Sequence, residues 1–240
     1  MKYIVPFLLF ATLFTTTKNV SAQEPRASSV THTPLFSQNH IVLKINGLPV
    51  YANELENLCH YFQSYRKSPT DLLLRDAVKA IIPSYVLQSI LATELPAMRG
   101  KCEGALQAVQ DGMSFTKMVQ QYSDDTEAPT PDGRYTFSRG TAVQPFDRIS
   151  HSGKTNELQG PFLTVYGYHF LQIMEYHQGK EAADDTTDVR HMLAMYPTLI
   201  ALEEEGEDVR TWIKAKVKEA ALEVVDPALQ NILPPEFRKG

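Results

Sequence analysis

Several features that would place a chain in a large functional class are scarce in this sequence. It has two cysteines in 240 residues, Cys59 and Cys102, and their spacing offers no zinc site. Of its seven histidines, His32, His40, His60, His151 and His177 show no metal spacing, and no metal or cofactor is expected. Basic residues are outnumbered, 23 against 28 acidic, for a formal net charge of −5. A balance of that sign carries no electrostatic footprint for nucleic acid. Beyond the amino end no apolar run is long enough to cross a hydrocarbon layer of ~30 Å, so no transmembrane anchor is expected.

What is present begins with Met1-Lys2-Tyr3, an apolar run from Ile4 to Phe14, and Val20-Ser21-Ala22 before Gln23. One cation, a short apolar core and a small-x-small site read as a cleavable secretory signal over residues 1–22, cut near Ala22. The competing reading, an uncleaved anchor, asks the run to span more than its length allows. Cleavage removes Lys2 and Lys18 and leaves the remainder more acidic. The implied location is periplasmic or secreted. Such a compartment permits a Cys59–Cys102 disulfide, with two buried thiols as the default. Residues 23–39, rich in Ser, Thr, Pro and Gln without apolar period, read as a flexible leader. Order is expected from His40.

Residues 41–45 are apolar and β-branched, Asn46-Gly47 is a hairpin turn signal, and Pro49-Val50-Tyr51 supplies the return strand. Asn53 is expected to cap a helix with Leu55, Leu58, Cys59, Phe62 and Tyr65 on one face. A second helix begins near Pro69. Residues 83–98 admit two readings: a strand over 86–91 centred on Ser89, or a helix with Pro83 in its first turn, which is preferred. Helices follow at 99–110, burying Leu106 and Val109, and at 113–122, burying Phe115, Met118, Val119 and Tyr122. A Pro- and Gly-bearing loop at 126–133 leads to a strand at 134–138, a short helix carries Phe146 and Ile149, and strands are expected at 155–158 and 168–174. After a polar linker at 180–187, residues 189–195 are again strand-like. A long helix is expected over 202–222, and 222–225 can add a strand to the first hairpin.

Four motifs stand in order between Gly112 and Met174. They are a Phe115 helix ending Tyr122-Ser123-Asp124-Asp125, then Phe137-Ser138-Arg139-Gly140, then Gln144-Pro145-Phe146, then Gly160-Pro161-x-x-Thr164-x-x-Gly167-x-His169. This order resembles the parvulin family of peptidyl-prolyl cis-trans isomerases. The Ile45-Asn46-Gly47-x-Pro49-Val50-x-x-x-Glu54-Leu55 pattern is similar to the start of the N-terminal lobe in SurA- and PrsA-type foldases. The resemblance implies an α+β fold: a parvulin-like antiparallel four-stranded sheet with surrounding helices at 99–195. That domain is inserted between N-terminal (40–98) and C-terminal (196–240) segments forming a mostly helical, chaperone-like lobe.

By the same resemblance Phe146 floors a proline pocket and Phe137 packs beside it. Ala142 and Arg134 stand where the family places larger apolar side chains. Asp125 matches the acidic or thiol position beside the substrate carbonyl, His169 the last-strand histidine, and Thr164 its hydrogen-bonding neighbour. The family's first strand, with its own histidine, has no clean counterpart ahead of residue 99. Val189-Arg190-His191-Met192-Leu193-Ala194-Met195 looks like that strand displaced to the far end. Either it fills the first-strand slot in a permuted domain, making His191 the partner of His169, or it is the remnant of a second repeat, or Ser89 marks a degenerate first strand. A sheet lacking the strand would bury unpaired N–H and C=O groups, which argues for the first option.

The function implied is an exported prolyl isomerase and folding chaperone acting on unfolded or proline-containing polypeptides, outer-membrane clients among them. The alternative is a parvulin-like binding module without turnover. A third reading is a structural subunit of an envelope assembly.

Overall fold

The computed structural model describes residues 35–36, 38–234 and 237. The signal reading over 1–22 and most of the leader lie outside the described residues. Ahead of His40, where order is expected to begin, Phe36 is already buried, and the N–H groups of Leu35 and Phe36 donate to Glu56 Oε1.

In chain order the elements are β1 (Ile41–Ile45), β2 (Leu48–Tyr51), α1 (Ala52–Gln63), α2 (Thr70–Ile90), α3 (Leu95–Gln110) and α4 (Phe115–Tyr122). There follow β3 (Arg134–Ser138), α5 (Phe146–Ser152), β4 (Leu158–Leu163), β5 (Gly167–His177), β6 (Thr186–Met195), α6 (Pro197–Glu204), α7 (Val209–Lys218) and β7 (Leu222–Val224). The described chain divides into two compact units. One is Thr93–Val209, and the other combines the chain up to Ala92 with the chain from Arg210 onward. These limits differ from the expected 99 and 195 because Glu94 and α6 hold together: the N–H and hydroxyl of Thr198 both donate to the Glu94 carboxylate.

In the unit built from both chain ends, the β1–β2 hairpin turns on Asn46 and Gly47, with φ of 48° and 82°, the left-handed pair that a two-residue turn requires. Asn46 then ties down the other end of the chain. Its N–H donates to Ala221 O and its Oδ1 accepts from Ala221 N–H, each at 2.8 Å, and β7 pairs antiparallel with β1. The helix after the hairpin is capped at Tyr51, not Asn53, whose N–H is taken by Asn39 Oδ1. Residues 70–90 form one continuous helix that carries Pro83 within it and Ser89 near its end. Ser89 therefore lies on no strand, and its hydroxyl donates to Val86 O at 2.7 Å.

The central unit holds a four-stranded antiparallel sheet in the order β3-β6-β5-β4. β6 starts at Thr186, inside what reads as linker. β4 begins at Leu158, and Thr155 makes only a single bridge to Ile173. β5 pairs with β6 from Gly167↔Met195 to His177↔Thr186, and β3 takes the other edge of β6 as far as Arg190. Past Arg190, loop groups continue that ladder. His191 N–H donates to Gly133 O at 3.0 Å, Leu193 N–H to Ser123 Oγ at 3.2 Å and Met195 N–H to Asp124 Oδ2 at 3.0 Å. Asp124 N–H returns a bond to Leu193 O at 2.8 Å. The Ser-Asp pair that ends the Phe115 helix thus satisfies a strand edge that would otherwise be buried unpaired.

One face of the sheet packs Tyr135, Phe137, Leu171, Ile173, Tyr176 and Val189 against Phe146 of α5. The other packs against α3 and α4, with Phe115 edge-on to Phe170 at 5.8 Å. On α3 the buried stripe is Met98, Cys102 and Ala105, and the expected Leu106 and Val109 are only half-buried. Cys59 and Cys102 are both buried free thiols, and burial pushes them up to about 11 and about 12. The single helix expected over 202–222 is two helices. Gly206, at φ 81°, ends α6 with its N–H on Glu203 O at 3.0 Å, the conformation glycine supplies at helix ends.

Candidate active site

The site is a row of side chains crossing the α5 face of the sheet. His169 on β5 is paired across from Leu193, and Leu171 across from His191, so the two histidines are diagonal neighbours on one face, within reach of each other. Their Nδ1 atoms are 3.4 Å apart and their rings nearly parallel, 23° between planes. His169 Nε2 is 2.8 Å from Thr164 Oγ1. His191 Nε2 is 3.0 Å from Asp125 Oδ2, and the Tyr135 hydroxyl donates to that same oxygen at 2.9 Å.

The contacts restrict where the protons of the row can sit. A hydrogen bond between two Nδ1 atoms needs one of them bare. With His191 donating from Nε2 to Asp125, a neutral His191 ring is bare at Nδ1 and accepts from His169 Nδ1–H. His169 is then bare at Nε2 and accepts the Thr164 hydroxyl. With His191 protonated instead, its Nδ1–H donates to a bare His169 Nδ1, His169 donates from Nε2–H to Thr164 Oγ1, and the Thr164 hydroxyl donates to Gly167 O at 3.4 Å. Burial lowers the pKa of His169 well below 6.5, with His191 adding to the effect and Asp125 opposing it. Burial also works to raise Asp125, but the hydrogen bond and charge of His191, with the Tyr135 hydroxyl, outweigh it and hold the carboxyl below its ordinary 3.8. The row therefore ends in a carboxylate held in its charged form.

Aromatic rings enclose it. Phe146 stands edge-on to both histidines, with centroids 5.4 Å from His169 and 5.1 Å from His191. Phe162 stacks on His169 at 5.7 Å with 10° between planes. Phe137 lies 5.8 Å from Phe146, and Ala142 packs against the same cluster. Phe146 and His169 are 0% exposed and His191 1%. The loop before α5 is held by Asp147, whose buried carboxylate accepts Gly140 N–H at 3.0 Å and Gln144 Nε2 at 3.2 Å.

Of the residues expected here, Asp125, His169, His191, Thr164, Phe137, Phe146 and Ala142 come together. Arg134 does not. Side chains alternate along β3, so Tyr135 and Phe137 face the histidines while Arg134 points from the opposite face, half-exposed, 3.4 Å from Asp132 Oδ2. Tyr135 and Phe162 were not expected. Tyr135 stands two residues before Phe137 and shares its face, a signal that strand alternation could have supplied. Pairing of β5 with β6 also gathers Glu175, His177 and Asp188 on the opposite face, their ligand atoms within 4.8 Å of one another. Sequence spacing gave no hint of that group.

Residues 77–177 match the family model described as PPIC-type PPIASE domain. Over that stretch the chain is similar to the parvulin-type isomerases, and its relatives are SurA- and PrsA-type foldases. A Chaperone SurA of Pseudomonas fluorescens is 27% identical over 120 residues, covering 50% of this chain and 27% of the relative. Foldase protein PrsA 2 of Listeria innocua is 24% identical over 164 residues, covering 68% of this chain and 53% of the relative. A Chaperone SurA of Bordetella pertussis is 29% identical over 97 residues, covering 40% of this chain and 18% of the relative. The matched stretch thus spans from about a quarter to about half of the first two relatives. No solved structure matches. The family match stops at His177, before β6, although β6 lies between β3 and β5 and carries His191.

Proposed function

We propose that this chain catalyses cis–trans isomerisation of X-Pro bonds in unfolded exported polypeptides and holds those chains while they fold. The observation that carries the reading is the buried His169–His191 pair in contact with the Asp125 carboxylate, with Phe146 edge-on to both rings.

Rotation about an X-Pro bond is slow because resonance gives C–N partial double-bond character, with a barrier of ~18–20 kcal/mol. That resonance places negative charge on the carbonyl oxygen. In the reading offered here Asp125, held anionic by His191 and Tyr135, lies beside that oxygen and makes the planar amide less favourable. The twisted state returns the charge to nitrogen and is destabilised less. The aromatic cluster excludes water and receives the proline ring, so the site binds the twisted bond better than either isomer. No covalent intermediate and no cofactor enters. The histidines fix the carboxylate without exchanging protons with substrate.

The same reading takes β6 as the family's opening strand, moved to the end of the domain. It rests on the place of β6 between β3 and β5, on the presence of His191, and on the family match ending before it. Export rests on the apolar run at residues 4–14. Client holding rests on the SurA and PrsA relatives and on the unit formed by both chain ends.

One observation favours a client-binding module without turnover: Phe146 and His169 are fully enclosed, so a proline ring has to displace packing to reach them. A protease-coupled assay on short X-Pro peptides separates the two. Turnover above the spontaneous rate, reduced roughly 10–100-fold in Asp125→Ala, is expected. A wild-type protein no faster than the blank would remove the isomerase reading. Delay of aggregation of an unfolded outer-membrane protein tests holding separately.

A further inference from the structure

The register of the central sheet puts ligand chemistry where sequence spacing shows none. Between Ile173 and Glu175 the β5–β6 ladder slips by one residue, Ile173 pairing with Val189 and Glu175 with Asp188. An extra residue in one strand reverses the face that the following side chains take. Ile173 and Tyr176, three positions apart, therefore both lie in the core with Phe146, while Glu175 and His177 emerge on the opposite face. There Glu175 stands directly across from Asp188, with His177 diagonal to it. His177 Nε2 lies 3.5 Å from Asp188 Oδ2, and one ligand atom from each of the three residues falls within 4.8 Å of the others. All three are half-buried.

Two carboxylates opposite each other on one rung repel, and among the described residues no lysine or arginine pairs with either. Asp188 is also held in place from behind. Thr136, its neighbour across β3, donates from Oγ1 to Asp188 Oδ1 at 2.6 Å, which leaves Oδ2 turned toward His177, the kind of outer bond that orients a ligating carboxylate. Zinc bound tetrahedrally by nitrogen and oxygen sets its ligand atoms about 3.4 Å apart. His177 and Asp188 already stand at that separation, and rotation of the Glu175 side chain closes the rest. One imidazole with two carboxylates suits zinc and its neighbours, whereas magnesium and calcium take oxygen ligands. We propose that Glu175, His177 and Asp188 form a binding site for a divalent transition-metal ion of the zinc class, with its remaining coordination positions open to solvent. The ion fastens β6 to β5. It lies on the face away from the His169–His191 row, so the site is independent of whether X-Pro bonds are turned over.

The experiment titrates the full chain, first stripped with a chelator, with ZnCl2 by isothermal titration calorimetry, and follows thermal unfolding with and without the metal. MgCl2 and CaCl2 serve as comparison salts. The variants are His177→Gln and Asp188→Asn, with His40→Gln as the control, since His40 also meets a carboxylate, Asp226 Oδ2 at 2.7 Å, but in the other unit. One zinc ion per chain is expected, bound at least about 100-fold more weakly in either site variant and unchanged in the control. At zinc tenfold above Kd the Tm of wild type should rise by about 4 °C, and that rise should vanish in the site variants. Magnesium and calcium at the same concentration should do neither. Absence of zinc binding, equal binding by the site variants, loss of binding in His40→Gln, or displacement of zinc by equimolar magnesium overturns the proposal. Zinc binding that leaves the Tm unmoved overturns it as well, because an ion held by the folded sheet has to stabilise it.

Discussion

Asp125 and His191 are separated by 66 residues of chain, yet Oδ2 of one lies 3.0 Å from Nε2 of the other. Neither alone has the properties the site shows. Without His191 a carboxylate so deeply placed would be driven toward its neutral form. Without Asp125 the buried imidazole would lose the acceptor that fixes its tautomer. This one contact keeps the Asp125 carboxyl in its charged form and gives the buried His191 ring an acceptor.

Tyr135→Phe removes a donor from Asp125 Oδ2 while leaving the ring against His191. The expected cost is about 1–2 kcal/mol in urea unfolding at neutral pH, with the Asp125 pKa moving up. Because the folded-state pKa of Asp125 is depressed, its contribution is present above its ordinary 3.8 and lost as pH falls. The variant should therefore show a smaller acid loss and an acid limb of turnover shifted upward. Unchanged stability and pH profile would take Tyr135 out of the row.

Thr164→Val keeps the shape but leaves His169 Nε2 buried without a donor. A loss of about 1–3 kcal/mol is expected. Made in a His169→Phe background, the same change should cost much less, because the nitrogen that needs the hydroxyl is gone. Equal costs in the two backgrounds would show that the Thr164–His169 bond contributes nothing.

Gly167 begins β5 at φ 147°, and a Cβ there would strike the carbonyl oxygen of Ala194 on β6. Gly167→Ala should cost about 2 kcal/mol or more and lower turnover by loosening the strand that carries His191. Gly112, at φ 98° with open space around it, serves as the control. Gly112→Ala meets the conformational strain without the collision and should be milder. Equal costs would mean the approach of Ala194 does not matter.

Acid should weaken the protein before its carboxylates titrate. His151 is lowered from 6.5 to about 4, first by burial and also by Arg139, and His169 is also lowered, by burial and by His191. Each binds its proton in the unfolded chain below pH 6.5 but not in the fold. Their stability is therefore complete above about 6.5 and is lost as pH falls, at about 1.4 kcal/mol per pH unit for each group. His151 alone accounts for roughly 3 kcal/mol by pH 4. His40 works the other way: raised by Gln38 and Asp226, it adds stability below its ordinary value and loses it above. Urea unfolding at a series of pH values checks the balance. A midpoint that does not fall between pH 6.5 and 4.5 would mean the buried histidines are solvated. His151→Phe should flatten part of the slope.

Much of this architecture is written in short stretches. Asn46-Gly47 specifies a left-handed turn because few other pairs adopt it, and β1 and β2 follow. Ser114 caps α4 through Lys117 N–H, and the spacing of Phe115, Met118 and Val119 sets its buried face. The ordered motifs from Gly112 to His169 carried the resemblance to parvulins and offered Asp125, His169, Thr164 and Phe146 as candidates, which the fold brings together. Local patterns carry such information because turns, caps and helix faces depend on residues within a few positions of one another.

Where a strand sits in a sheet and which face a side chain takes are settled by partners far along the chain. Residues 189–195 read as a strand from composition alone, but their place between β3 and β5 follows from edges offered by Gly133, Ser123 and Asp124. That place is what brings His191 to Asp125. The same register turns Arg134 away and Tyr135 inward, and it is tertiary packing against Glu94 that draws α6 into the central unit. The sequence by itself named the pieces of the site. The fold decided which of them touch, because hydrogen-bond pairing across a sheet is a property of two strands at once.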